Sequence, residues 1–167
     1  LNMVTDVFPA LALGMNQEGD DVMQRPPRDS REPIINGRMW WAIVVYALGL
    51  TAAVLGILLF AVYYLKASAG VANNLTFYTL ILAQLWHVFN LPSARQSFWR
   101  NEITRNHFVW RALALCVFIT VAAYAIPIVR EVLQLEPMPW GWLALVVPFS
   151  LFPVVFIQFF KRLGLLS

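Results

Sequence analysis

Long apolar runs separated by short polar segments dominate the sequence. The first run, Met39 to Leu65, contains no charged residue and is long enough to cross about 30 Å of hydrocarbon. Aromatic pairs, Trp40-Trp41 and Tyr63-Tyr64, stand near its ends, as is typical of membrane interfaces. Within it, Gly49 and Ala53 form a small-xxx-small pair that favours close helix packing, although membrane helices also tolerate glycine without such a contact. The pattern predicts an all-α, polytopic membrane helix bundle with four spans: Met39 to Leu65, Leu75 to about Leu91, Phe108 to about Val129 and Trp140 to about Phe160.

Polar residues and prolines interrupt the later runs. The second run is short and carries Gln84 and His87, which are credible inside a membrane only if they face other helices. Pro127 stands near the end of the third run, and Pro148 and Pro153 lie inside the fourth. We therefore expect bends in these helices, which neighbouring helices must accommodate.

The composition agrees with a membrane protein. Hydrophobic residues make up 60% of the 167 residues and charged residues only 13%, and the mean hydropathy is +0.65. The net charge of +3 comes from Arg and Lys clustered between apolar runs, so it indicates membrane topology and no nucleic-acid partner. The single cysteine, Cys116, excludes an intrachain disulfide. Neither a signal peptide nor an initiator Met is present, and we therefore expect a piece of a longer protein.

Basic residues alternate between the loops. Residues 14–38, residues 92–111 and the C-terminal tail contain most of the Arg and Lys, whereas the loops around 67–74 and 130–139 contribute few basic residues beyond the flanking Lys66 and Arg130. By the positive-inside rule, the basic loops and the C-terminus lie in the cytoplasm. We therefore divide the chain into the end of a further transmembrane helix (1–13), a cytoplasmic loop (14–38) and a four-helix bundle with a short tail (39–167).

The first residues place three oxygen-bearing side chains on one face of an apolar helix. Asn2, Thr5 and Asp6 stand at positions i, i+3 and i+4. Amide, hydroxyl and carboxylate oxygens are the ligands that hard cations prefer, and a carboxylate in hydrocarbon needs a partner or an ion. Pro9 favours a kink or an unwound turn beside them. On these residues alone, a capped helix N-terminus or a Thr-Asp turn is the favoured interpretation, because short motifs often match by chance.

Two adjoining motifs carry a resemblance to P-type cation-transporting ATPases. Residues 2–14, NMVTDVFPALALG, resemble the family's sixth transmembrane helix, which in the calcium-pump class typically has the form N-L-V-T-D-x-x-P-A-x-A-L-G. Residues 21–28, DVMQRPPR, and 32–35, EPII, resemble the following loop, D-I-M-x-R-P-P-R and then E-P-L-I. The rest of the chain is similar in layout to the family's helices seven to ten, so the resemblance covers essentially the whole chain and is strongest over residues 1–37.

The resemblance implies a cation site midway through the membrane. Asn2 and Thr5 would contribute neutral oxygens to it and Asp6 a charge. Gln84 stands six residues before Asn90, where the sarco/endoplasmic reticulum pumps carry a glutamate, so it would add an amide oxygen without a charge. A single bound cation, or an ion other than Ca²⁺, then becomes more plausible. Without the resemblance, Gln84 would be interpreted as a residue that hydrogen-bonds to a neighbouring helix. The predicted metal ligands are thus Asn2, Thr5, Asp6 and Gln84, with Ca²⁺ the preferred cation and His87 unassigned.

The sequence carries no motif for ATP chemistry of its own. It lacks the D-K-T-G-T phosphorylation motif, a phosphate-binding loop and a nucleophile–base pair. We therefore expect no catalytic residue, no cofactor site and no ATPase activity from this chain alone. In the parent pump, the resemblance implies Mg-ATP, and it implies as partners the lipid bilayer, the remaining transmembrane helices, the cytoplasmic domains and the transported cation.

Two alternatives stay open at this point. The chain could be a stand-alone, pump-derived membrane protein with a scaffold or accessory role. The parent could also be a sodium, potassium or proton pump, but those relatives generally carry Asp at the position of Asn2 or lack the Thr-Asp pair. A calcium-like pump is therefore preferred.

Overall fold

A computed structural model describes the backbone of residues 2–14, 35–90 and 102–166, and the side chains in these ranges except those of residues 2–6 and 102. The described residues form helices and no strand, which confirms the predicted all-α membrane helix bundle. The helices are α1 (Asn2–Gly14), α2 (Gly37–Leu59) followed by a π-helical turn (Phe60–Tyr64), α3 (Ala69–His87) followed by a 3₁₀ turn (Val88–Asn90), α4 (Glu102–Arg105), α5 (His107–Ala125), α6 (Pro127–Val132) and α7 (Trp140–Arg162).

Helix α3 lies at the centre of the bundle. It contacts α1, α2, α5 and α7, and α2 and α7 also contact each other. Nine of its 19 residues are buried, and these include the polar Asn74 and Thr79. The first half of α3 packs through Tyr78 into a cluster with α2 and α7, whereas Ile81 and Leu85 in the second half belong to a cluster shared with α1 and α5. The core of the bundle is therefore built around a single enclosed helix.

Three helical stretches among the described residues are long and apolar enough to cross a membrane, and α3 is not one of them. The three are Gly37–Tyr64, His107–Ala125 and Trp140–Arg162, and no more than 33% of the most apolar window of each is buried within the chain. The sequence predicted a fourth span near residues 75–91. The polar residues Asn73, Asn74 and Gln84 reduce the hydropathy of α3. A helix enclosed by other helices can carry such residues because it does not have to be compatible with lipid on every face.

Helices α2 and α7 pack closely at small residues. Gly49 and Ala53 are buried, and a methyl group on Gly49 would lie 3.0 Å from Cδ1 of Phe156. A methyl group on Gly56, two turns further along α2, would lie 3.3 Å from Cε1 of Phe149. The predicted small-residue contact is therefore confirmed at Gly49, where a phenyl ring of α7 occupies the space that a side chain would need.

Pro127 separates two helices instead of ending one. The sequence predicted a single span from Phe108 to about Val129, but α5 ends at Ala125 and Pro127 is the first residue of α6. Ile126 between them is extended, with φ −85° and ψ 113°. The α conformation is disfavoured for the residue before a proline. Proline itself is tolerated at the first position of a helix, because a backbone N–H at that position would have no acceptor within the helix.

The other prolines lie inside helices. Pro148 and Pro153 fall within α7, and Pro9 falls within α1. Each proline removes one backbone hydrogen bond without interrupting its helix. The loss is tolerable in a packed bundle because neighbouring helices stabilise the helix around the proline. An unwound turn beside Pro9 was one of the two expectations from the sequence, and α1 does not contain one.

The start of α3 and the segment before α7 are held together by polar contacts. Ser68 caps α3 by accepting a hydrogen bond from the amide of Val71 (3.2 Å), so the helix begins six residues before Leu75. The Ser68 hydroxyl donates to Oε2 of Glu136 (2.5 Å), and Nδ2 of Asn74 donates to the carbonyl of Glu136 (2.8 Å). These contacts position the segment after α6 against the first turns of α3.

Candidate functional site

Helix α1, which carries three of the predicted ligands, packs mainly against α5 and also against α3. Ala12 of α1 belongs to the buried cluster that includes Ile81 and Leu85 of α3, and Phe8 and Leu13 pack against this cluster. The backbone of Asn2, Thr5 and Asp6 is α-helical, so these positions share one face of α1 as predicted. Their side chains lie outside the described part of the chain.

The C-terminal end of α1 lies where α3 ends and α5 begins. Nδ2 of Asn106, directly before α5, donates a hydrogen bond to the carbonyl of Ala12 (3.3 Å). Ala12 is buried in the same cluster as Val88 and Phe89 from the end of α3 and Val109 from the first turn of α5. Helices α1 and α3 therefore run in the same direction, and α5 runs in the opposite one.

Gln84, the fourth predicted ligand, lines a cavity between α2, α3 and α7. The cavity has a volume of about 370 Å³, and its polar lining groups come from Tyr46, Gln84 and His87. Oε1 of Gln84 is buried and accepts no hydrogen bond from any described residue. An unpaired buried amide oxygen is costly, so this atom is suited to a cation, a water molecule or a donor from outside the described residues.

His87 lies one turn after Gln84 and lines the same cavity. Its ring meets that of Tyr46 edge to face, with the centroids 5.0 Å apart. Gln84 and His87 therefore lie on the same side of α3, facing α2 and α7. The aromatic contact provides a packing role for His87, which fits the decision to leave it unassigned.

Sequence reasoning missed a set of polar contacts that joins the ends of α3 and α7. Nε2 of Gln158 donates to Oδ1 of Asn90 (2.9 Å), and Nζ of Lys161 donates to the carbonyl of Asn90 (2.5 Å). One turn earlier on α3, Nε1 of Trp86 donates to the hydroxyl of Ser150 (3.2 Å). These residues are far apart in sequence, so no spacing could have paired them. Their effect is to fix the α3 turn that follows Gln84.

A central helix that carries buried polar residues is packed among helices whose apolar surfaces are largely exposed within the chain. This arrangement is that of a polytopic α-helical membrane domain. The comparison with known proteins identifies the family to which the domain belongs. The family described as "Cation transporting ATPase, C-terminus" matches residues 1–163. The chain therefore belongs to the C-terminal region of the cation-transporting ATPases, which confirms the resemblance over essentially the whole chain.

The relatives that the chain matches are named as calcium pumps. It is 33% identical over 155 residues to the calcium-transporting ATPase of Bacillus subtilis (strain 168), which covers 92% of this chain and 17% of the relative. It is 29% identical over 144 residues to calcium-transporting ATPase 1 of Lactococcus lactis, covering 85% of this chain and 16% of the relative. Calcium-transporting ATPase 5, plasma membrane-type, of Oryza sativa is 29% identical over 126 residues, which are 71% of this chain and 12% of that protein. The chain thus spans less than a fifth of the length of these relatives.

Proposed function

We propose that this chain is the last membrane part of an ATP-driven pump that transports Ca²⁺, and that it supplies part of the intramembrane cation site together with the supporting helices. The names of the relatives support Ca²⁺ as the transported ion. They favour a pump over a stand-alone scaffold or accessory protein. In this proposal Mg-ATP is bound and hydrolysed by other parts of the pump, and the C-terminus of the chain faces the cytoplasm.

The cation ligands in α1 are Asn2, Thr5 and Asp6. Asp6 supplies the charge that a divalent cation needs, and Asn2 and Thr5 add neutral oxygens from the same helix face. Their positions next to a packed helix segment support this assignment, because from Phe8 onward one face of α1 packs against α5 and α3, where Ala12 is buried. A carboxylate next to such a segment is far more costly without a bound ion than with one.

The observation that carries the proposal is the parallel arrangement of α1 and α3, whose C-terminal ends both lie beside the start of α5. With a rise of about 1.5 Å per residue, Asp6 lies about 9 Å back along α1 from Ala12. Gln84 lies about 6 Å back along α3 from Val88 by the same measure. Both residues thus stand a similar distance before the ends of two neighbouring helices, which supports their assignment to one site.

Gln84 contributes the fourth ligand through its unpaired Oε1. The described cavity around it opens towards α2 and α7, so the ligand role requires the amide to turn from Tyr46 and His87 towards α1. A glutamine has the rotatable bonds for this change. Because an amide carries no charge, the site has a single carboxylate from this chain, which favours one bound cation per cycle.

The test is Asp6→Asn in the full-length pump reconstituted in lipid vesicles. The variant keeps the shape of the side chain and removes its charge, so we expect Ca²⁺-dependent phosphorylation from ATP to require orders of magnitude more Ca²⁺. Phosphorylation from inorganic phosphate, which needs no bound cation, serves as the control for an intact enzyme. Wild-type Ca²⁺ dependence in this variant would overturn the assignment.

A further inference from the structure

Asn106 occupies the junction between α4 and α5 and is held in place by its own backbone and side chain. Its amide N–H donates to the carbonyl of Ile103 (3.1 Å). Its Oδ1 accepts a hydrogen bond from the amide of Phe108 (2.8 Å), which makes it the N-cap of α5. The remaining polar group of the side chain, Nδ2, points out of α5 and donates to the carbonyl of Ala12 in α1 (3.3 Å).

The hydrogen bond to Ala12 lies in apolar surroundings. Ala12 is only 4% exposed and belongs to the same buried apolar cluster as Ile103 in α4 and Val109 in the first turn of α5. A hydrogen bond in such surroundings meets little competition from water, so it fixes the relative position of the two backbones more strongly than an exposed bond would.

The hydrogen bond connects α1 to a helix whose position is itself fixed. Helix α5 is fixed at its far end by Tyr124, whose hydroxyl donates to the carbonyl of Met138 (2.5 Å) and accepts from its amide (2.7 Å). The described side chains of α1, those of residues 7–14, are apolar. Apolar packing alone permits sliding along the helix axis, whereas a directional hydrogen bond such as the one from Asn106 to the backbone of Ala12 opposes it.

We propose that Asn106 is a positioning residue for the cation site: by holding the end of α1 against the start of α5, it sets the height of Asn2, Thr5 and Asp6 relative to α3. This inference rests on the proposed function, in which α1 carries the cation ligands. Asn106 does not touch the cation. It acts through the carbonyl of Ala12, which is about 9 Å of helix away from Asp6 and about 15 Å from Asn2 by the rise of about 1.5 Å per residue.

Two substitutions separate this role from the capping of α5. In Asn106→Ser, the hydroxyl still caps α5 but is too short to reach Ala12. In Asn106→Ala, both the cap and the bond to Ala12 are lost. We expect Asn106→Ser to unfold at nearly the wild-type temperature while its apparent Ca²⁺ affinity falls about two- to tenfold, the range that corresponds to one hydrogen bond. We expect Asn106→Ala to show the same loss of affinity and a lower unfolding temperature.

The measurements are the Ca²⁺ dependence of phosphorylation from ATP, the ATP dependence at saturating Ca²⁺ and the thermal unfolding of each variant of the full-length pump. A loss of Ca²⁺ affinity in Asn106→Ser with unchanged ATP dependence supports the positioning role. Unchanged Ca²⁺ affinity in Asn106→Ser overturns the positioning role. So does a loss of Ca²⁺ affinity that occurs only in a variant whose unfolding temperature is also lowered. Asp6→Asn is measured in parallel. If Asp6→Asn lowers the Ca²⁺ affinity and Asn106→Ser does not, only the positioning role of Asn106 is wrong. If Asp6→Asn behaves like the wild type, both the proposed function and this inference are wrong.

Discussion

Gln84 illustrates how a single polar residue in a membrane helix can serve packing or ion binding. In the described structure its Oε1 is buried and accepts no hydrogen bond, although Tyr46 and His87 line the same cavity. Gln158 on α7 provides the contrast, because its amide donates to Oδ1 of Asn90 and joins two helices. Gln158 therefore joins two helices, and the ion-binding role that we propose for Gln84 can be tested against it.

This contrast leads to a prediction for Gln84→Ala with Gln158→Ala as its matched control. We expect Gln84→Ala to lower the apparent Ca²⁺ affinity of the full-length pump with little change in thermal unfolding, because no described hydrogen bond of Oε1 is lost. We expect Gln158→Ala to lower the stability by about 0.6–2 kcal/mol, the range for interhelical hydrogen bonds in membranes, with little change in affinity. Affinity and unfolding are measured on the same sample. A stability loss with wild-type affinity in Gln84→Ala would assign this residue to packing.

The prediction for Tyr124 concerns stability alone and not Ca²⁺ affinity. Tyr124→Phe leaves both the amide and the carbonyl of Met138 without their partner, and Met138 is only 8% exposed. We expect a loss of about 1–3 kcal/mol, the cost of leaving buried polar groups unsatisfied. Tyr63→Phe is the control, because Tyr63 is 76% exposed. Equal unfolding temperatures for the two variants would contradict a stabilising role for the Tyr124 hydroxyl.

At the scale of the helices, the contact between α2 and α7 depends on the absence of a side chain at Gly49. The ring of Phe156 lies where that side chain would stand, and it is confined between the rings of Phe152 and Phe160, with centroid distances of 5.7 and 4.8 Å. The ring therefore has little freedom to move aside. Gly141 in α7 is the matched counterpart, because a methyl group there would meet no atom within 4 Å.

We expect Gly49→Ala to lower the unfolding temperature and Gly141→Ala to leave it unchanged or raise it, since alanine is the better helix former where space is available. Overpacking of a closely packed contact costs about 1–3 kcal/mol. Combining Gly49→Ala with Phe156→Leu should recover part of the loss, because the smaller side chain makes room. If Gly49→Ala were as stable as Gly141→Ala, the close approach of α2 and α7 would not contribute to stability.

The sequence predicted the positions of the helices well where a local signal existed, and less well where tertiary packing determined where a helix begins or ends. Apolar runs located α2, α5 and α7, and the pair Gly49 and Ala53 predicted a close contact. The start of α3 was placed too late, because its polar first turns are stabilised by Ser68 and by the distant Glu136. The π-helical turn at the end of α2 has no sequence signal that we recognise.

For the site, the sequence predicted residue types, and only the structure shows how the helices meet. Asn2, Thr5 and Asp6 were recognised from spacing and from the family motif. That α1 and α3 end near the start of α5, and that Asn106 bonds to Ala12 across 94 positions of sequence, follows from packing between segments that are far apart along the chain. The prediction of the ligands themselves remains to be tested by substitution.

For the whole molecule, the arrangement of the helices defines which chain segments share an end of the bundle. The short connection from α2 to α3 places Ala69 at one end, and the contacts of Glu136 with Ser68 and Asn74 bring the segment before α7 to the same end. Lys161 in the last turn of α7 contacts Asn90 just after α3, so the end of α7 lies at the other end of the bundle. If α3 crosses the membrane with its neighbours, these two ends face opposite compartments. From the distribution of arginine, we then expect the end that contains Leu163 to face the cytoplasm.

Cysteine labelling in sealed vesicles tests this topology. In the full-length pump with Cys116→Ala and no other reactive cysteine, Ala69→Cys and Leu163→Cys each introduce one exposed thiol, because both positions are exposed. We expect a membrane-impermeant maleimide to reach Leu163→Cys only from the cytoplasmic side and Ala69→Cys only from the other side. Val155→Cys is the control: residue 155 is 67% exposed within the chain but lies in the middle of α7, so lipid should shield it from both sides. Labelling of Ala69→Cys and Leu163→Cys from the same side would mean that α3 does not cross the bilayer, and its low hydropathy would then reflect a helix that enters the membrane without spanning it.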